Sequence, residues 1–183
     1  MLWSTGAVLL SVCSTLFWTH PVSSHGLLAD PPSRSSMWRL GYPTPVNYQD
    51  NELFCGGFAH QVEQGYKCGV CGDPYDGVRD NEEGGKYATG IITRTYHQGQ
   101  TATFRVNITA NHKGYFEFKL CPTNSATVKT TQACLDLYPV QMADGSGTKY
   151  QLTPGVAKTF DVQVQLPQDL NCRLCVLQWR YHT

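Results

Sequence analysis

The feature that constrains this chain most is a set of short runs in which apolar and polar residues alternate one for one. Phe104, Val106 and Ile108 alternate with Arg105, Asn107 and Thr109. Phe160, Val162, Val164 and Leu166 alternate with Asp161, Gln163 and Gln165, and Cys175, Leu177, Trp179 and Tyr181 with Val176, Gln178 and Arg180. A period of two sends each run's apolar side chains to one face of a strand. Tyr87 to Tyr96, rich in Thr, Ile and Tyr, reads as a further strand, joined to the strand 101–110 by the turn His97-Gln98-Gly99-Gln100; Tyr115 to Leu120 reads as another. Short strands separated by Gly and Pro turns predict an all-β antiparallel sandwich. Residues 25–85 show little periodicity and carry several prolines and glycine pairs. They predict a long structured loop region with one short helix.

The N-terminus is of a different kind. No Lys, Arg, Asp or Glu precedes Asp30, and Gly6 to Trp18 is apolar, broken only by small residues. Val22, Ser23 and Ser24 then offer a cleavage site, so residues 1–24 are expected to be a signal peptide, although its start lacks a positive charge. No later run approaches membrane-spanning length. Lys plus Arg and Asp plus Glu balance at 14 each. That excludes the basic footprint of a nucleic-acid binder and a polybasic membrane patch. A secreted, extracellular protein is expected.

Cysteine usage agrees with secretion. Cys13 leaves with the signal, and Cys55, Cys68, Cys71, Cys121, Cys134, Cys172 and Cys175 remain, which read as disulfide candidates. An odd number leaves one without a partner in the chain. Cys121 with Cys134 is the first pair expected. The Cys68-x-x-Cys71 and Cys172-x-x-Cys175 pairs could also form a zinc ribbon, but their separation and the secretory setting favour disulfides. Asn107-Ile108-Thr109 is a glycosylation sequon whose asparagine falls on the solvent side of its strand. The chain stops at Thr183 directly after a strand pattern, which with the odd cysteine predicts a domain incomplete at its C-terminus.

A mature chain beginning at His25 has a chelating start. The α-amine and the imidazole Nδ1 of one residue can hold a single metal ion, and a second imidazole would complete a T-shaped site of three nitrogens. Copper tolerates that planar geometry and heads the divalent affinity order. The amine must lose its proton to bind, so affinity should weaken in acid. The second imidazole must come from His60, His97, His112 or His182. His112 stands out because it lies in a turn between two strands; the other three read as surface residues. Glu82-Glu83 reads as a solvated turn.

Several segments carry a family resemblance. They are His25-Gly26-Leu27-Leu28-Ala29-Asp30-Pro31-Pro32, Asp50-Asn51-Glu52-Leu53-Phe54-Cys55-Gly56-Gly57 and Cys68-Gly69-Val70-Cys71-Gly72-Asp73, followed by Thr109-Ala110-Asn111-His112-Lys113-Gly114-Tyr115-Phe116 and Leu177-Gln178-Trp179-Arg180-Tyr181-His182. In this order they resemble the lytic polysaccharide monooxygenases of auxiliary activity family 15, over 25–183. The resemblance implies an immunoglobulin- or fibronectin-like sandwich with long disulfide-tied loops and one copper ion in a histidine brace of His25 and His112. It implies oxidative cleavage of crystalline chitin or cellulose at C1 or C4, with an external electron donor and O₂ or H₂O₂. It also implies a place for Ala110 near the axial copper position and for Gln178 beside the ligands. Alternation places Gln178 opposite Leu177, Trp179 and Tyr181, which favours solvent exposure or a plain structural hydrogen bond for it instead. The aromatic axial residue usual in the family has no counterpart in this chain.

Trp38, Tyr42 and Tyr48 could stack on sugar rings or pack the long loop onto the sandwich. The chain is expected to act as a monomer on insoluble polysaccharide, without nucleic acid or membrane. Two other readings stay open: a non-catalytic carbohydrate-binding or structural module that keeps the fold, and a copper-binding protein with no sugar target.

Overall fold

The computed structural model describes residues 25–153, 155 and 158–183. The expected signal peptide lies outside them. Among the described residues seven strands form two antiparallel sheets: β1 (His25–Asp30), β2 (Thr101–Ala110), β3 (Tyr115–Cys121), β4 (Gln141–Met142), β5 (Lys149–Gln151), β6 (Lys158–Gln165) and β7 (Val176–His182). One sheet has the order β1-β2-β6-β4 and the other β5-β3-β7. The fold is thus the sandwich that the alternating runs predict. Val106 pairs with Leu28 on one side and Phe160 on the other, and all three face inward. From the second sheet, Phe116 and Phe118 face the same core. Phe116 is fully buried and its ring meets those of Tyr150, Phe160, Trp179 and Tyr181 at 5.2–6.0 Å. Burying such a ring stabilises the fold by about 1.5–3 kcal/mol. The outward faces are polar, as in the Arg105–Asp161 pair at 2.7 Å across β2 and β6.

The run from Tyr87 to Tyr96 corrects the strand expected there. It joins no ladder, and Tyr87 itself closes a turn. Its polar groups are met by turns and side chains instead: the Tyr87 amide donates to Asp80 O at 2.8 Å and Tyr42 Oη to Thr93 O at 3.4 Å. β-branched composition alone cannot supply a neighbour for a strand. Conversely, the start of the mature chain, expected as loop, is β1. A cleft of about 1930 Å³ lies between the 88–98 segment, β7 and the loops after β1, and it reaches His112.

The long loop holds a 3₁₀ turn at Met37–Leu40 and one short helix, α1 (Phe58–Glu63). Its order comes from ionic and covalent ties. Arg34 donates to Asn81 O at 2.7 Å and to the Glu83 carboxylate, and Glu83 also accepts from the Thr130 amide and hydroxyl, both at 2.9 Å. Glu83 is therefore buried, not solvated. Glu82 likewise binds Arg79 at 2.6 Å and the Val70 amide at 3.0 Å. The expected solvated turn is corrected at Glu83, whose donors Arg34 and Thr130 come from segments distant in sequence; Glu82 is tied within its own turn by Arg79 and across to Val70. Cys55 bonds Cys68, Cys121 bonds Cys134 and Cys172 bonds Cys175, which leaves Cys71 as the free thiol among the described residues. The Cys121–Cys134 bond ties β3 to a second helix, α2 (Gln132–Leu137), which the Thr131 hydroxyl caps by accepting from the Cys134 amide.

Candidate metal centre

His25 opens β1 and stands opposite Ala110, the last residue of β2. His112 follows Ala110 by two positions, so the register brings both histidines to one end of the first sheet. Local chemistry makes the turn that carries His112. The Asn111 side chain accepts from the Lys113 amide at 2.9 Å, and Lys113 (φ 68°) and Gly114 (φ 84°) are both left-handed. A side chain on Gly114 would run into the backbone of His182, so the turn can close against β7 only with glycine there. The His112 amide donates to Tyr181 Oη at 2.9 Å, which fixes the turn to the second sheet. Burial raises the Tyr181 phenol above its ordinary pKa, partly offset by that bond.

His25 is held from two sides. The Thr109 hydroxyl donates to His25 O at 3.3 Å, and the imidazole Nε2 lies 3.4 Å from Glu52 Oε1. The next residue, Gly26, donates its amide to Asn51 O at 3.1 Å. Both imidazoles are half-buried. Two such nitrogens at one strand end are donors of the kind copper favours. Among the described residues no group of three His, Cys, Asp or Glu side chains forms a closed cage.

The remaining expected site residues are placed as follows. Ala110 is half-buried between His25 and the turn. Gln178 is 8% exposed and donates to Val70 O at 2.6 Å and to Gln132 Oε1 at 3.2 Å. Alternation along β7 puts it on the face opposite Trp179 and Tyr181. These are structural hydrogen bonds of the amide side chain. Trp38 packs edge-on to Tyr48 at 5.4 Å and donates to Asn47 O at 3.1 Å, and Tyr42 bonds Thr93; Tyr48 alone is open, at 82% exposure. Asn107 accepts from the Thr159 hydroxyl at 2.9 Å on the outer face.

Of the other histidines, His60 pairs with Asp76 at 2.8 Å and His97 is exposed. His182 was expected on the surface but is half-buried, stacked on Tyr115 at 4.6 Å with Nε2 2.8 Å from Glu117 Oε2. Burial lowers its pKa, with Glu117 opposing. Sequence reasoning missed Glu52 and Tyr181 as neighbours of the histidines. Neither contact has a local signal, since each joins segments far apart in the chain.

Residues 25–183 match a family described as lytic polysaccharide mono-oxygenase, cellulose-degrading. Among solved structures, an auxiliary activity family 15 lytic polysaccharide monooxygenase from Thermobia domestica in the Cu(I) state is 48% identical. The match covers 85% of this chain and 81% of that one, with a TM-score of 0.82. No curated protein matches the chain.

Proposed function

The chain belongs to the lytic polysaccharide monooxygenases, and on that premise we propose that its copper is held by the α-amine and imidazole Nδ1 of His25 and by the imidazole of His112. The enzyme cleaves polysaccharide oxidatively and depends on one copper ion. The observation that carries the ligand assignment is the register of His25 opposite Ala110, with His112 two residues beyond. When bound, copper supplies the one-electron chemistry that activates O₂ or H₂O₂ for hydrogen abstraction at C1 or C4 of the sugar.

The chain's own residues prepare that chemistry. Cleavage after Ser24 during secretion exposes the His25 amine, which is otherwise an amide and cannot bind. The small Ala110 side chain leaves room beside the ligands. The Tyr181 hydroxyl holds the His112 turn. The substrate is insoluble chitin or cellulose, lying across the end of the sandwich, and an external donor supplies electrons to a monomer. The exposed Tyr48 is available to a sugar ring, whereas Trp38 and Tyr42 serve to pack the loop.

Secreted protein should begin His-Gly-Leu on N-terminal sequencing and bind one Cu(II) tightly. His112→Ala should abolish that tight site; unchanged affinity would mean the wrong second ligand. With reductant and peroxide, wild type should release oxidised oligosaccharides from crystalline chitin or cellulose. Tight copper without such products would favour the non-catalytic binding module.

A further inference from the structure

Glu52 lies within ion-pair distance of His25, its Oε1 3.4 Å from Nε2. It does not hang from a loose loop. Asp50, 2% exposed, is clamped by Arg39, whose Nε and Nη2 donate to the two carboxylate oxygens at 2.5 and 3.0 Å. The Ser35 hydroxyl donates to Asp50 O at 3.3 Å. Asn51 O accepts from the Gly26 amide at 3.1 Å, and the Glu52 amide closes a turn onto Gln49 O at 3.1 Å. Every residue from 49 to 52 is thereby fixed, and the last fixed point before Glu52 is a bond to the strand that begins with His25.

An imidazole that binds metal through Nδ1 carries its proton on Nε2. An acceptor at Nε2 selects that tautomer and sets the plane of the ring. We infer that Glu52 is a positioning residue for His25: its carboxylate accepts from Nε2–H, holds the ring in the tautomer and rotamer that present Nδ1, and the Arg39–Asp50 clamp holds Glu52. The inference rests on the brace reading of His25, but the contact it names exists without metal. A carboxylate acceptor also makes the imidazole a stronger donor, which favours Cu(II) over Cu(I). Glu52 touches neither substrate nor metal in this role.

The test is Glu52→Gln in the secreted protein, read in four ways. In copper-free protein, ¹⁵N shifts of the His25 ring should show the balance of neutral tautomers moving away from Nε2–H. Cu(II) affinity should fall about 10-fold, the lower end for lost outer-shell partners. The Cu(II)/Cu(I) potential should rise, and the Cu(II) EPR hyperfine coupling should change. The melting temperature of copper-free protein should stay that of wild type. Arg39→Gln should weaken copper binding in the wild-type background and add little in Glu52→Gln. An unmoved tautomer balance overturns the inference, as does unchanged affinity in a wild type that binds copper. A loss of affinity matched by a loss of copper-free stability also overturns it, because Glu52 would then be a structural prop. Wild type that binds no copper sinks the brace reading instead, and the ring shifts still decide the Glu52 contact.

Discussion

Gly26→Ala tests whether packing sets the position of His25. Gly26 pairs with Ile108 across the β1–β2 ladder. A Cβ there would stand 2.5 Å from Ile108 Cδ1, 3.0 Å from Asn107 O and 3.2 Å from Trp179 Cη2. The carbonyl belongs to the β2 backbone and cannot retreat alone. The Trp179 ring is confined by Phe116 and Tyr181, at centroid distances of 5.6 and 6.4 Å. Only the Ile108 methyl can rotate, and Ile108 is 3% exposed. Overpacking of this kind costs about 1–3 kcal/mol. At about 2 kcal/mol, a domain of this size melts roughly 4–8 °C lower. The displaced strand carries His25 with it, so Cu(II) affinity should fall as well. Differential scanning calorimetry of copper-free protein and a Cu(II) titration read the two effects. Ile108→Val removes the methyl that makes the closest contact and alone costs about 0.5–1.5 kcal/mol. In the double variant the losses should fall short of additivity by about 1 kcal/mol. A Gly26→Ala protein that melts with wild type refutes the reasoning, and strictly additive losses show that Ile108 is not where the strain sits.

Two further perturbations probe the ties of the long loop. Burial pushes the Cys71 thiol up to about 12, against the opposing pull of Arg34. Native protein at pH 8 should therefore alkylate with iodoacetamide on the order of a thousandfold more slowly than an ordinary exposed thiol, and unfolding should restore normal labelling. Fast native labelling would contradict this. Burial alone would raise the Glu83 carboxyl, but the Thr130 amide and Arg34 outweigh it and hold it below the ordinary value of 4.5. A lowered carboxylate contributes stability that is full above its unfolded pKa and is lost as pH falls through the folded value. Glu83→Gln should cost about 2–3 kcal/mol at pH 7 and should flatten the acid limb of the stability curve in urea unfolding. Parallel acid losses in both proteins would count against the network.

The parts of the fold legible in the sequence are those where burial has a local period. The runs at Phe104–Ile108 and Phe160–Leu166 alternate because one side of each strand is core, and the structure buries the expected side. β1 was not legible as a strand, because its Gly26, its bulges and its single buried residue, Leu28, leave no alternation to read. The run at Tyr87–Tyr96 misled for the opposite reason: its composition suits a strand, but pairing depends on a neighbour that composition does not name. At the site, His25 and His112 could be singled out from a chain start and a turn. Glu52, Tyr181 and Gln178 could not be assigned, since their partners lie at His25, at His112 and at Val70. Contacts of that range are properties of topology.

The edge position of β1 has a consequence for the order of events in folding. β1 has one ladder partner, β2, and the chain between them runs from Asp30 to Thr101. Such a contact forms only after the intervening chain is drawn in, at an entropy cost that grows with the logarithm of its length. The first strand in the sequence is thus among the last to dock, and as an edge strand it is among the first to leave in local opening. The proposed amine and imidazole donors of His25 ride on that strand. An ion that binds only the docked form adds RT ln(1 + [Cu]/Kd) to the closure. On the proposed ligands, copper would be a clasp on the latest-formed loop as well as a reagent, and its removal would let local opening begin at the strand that carries His25.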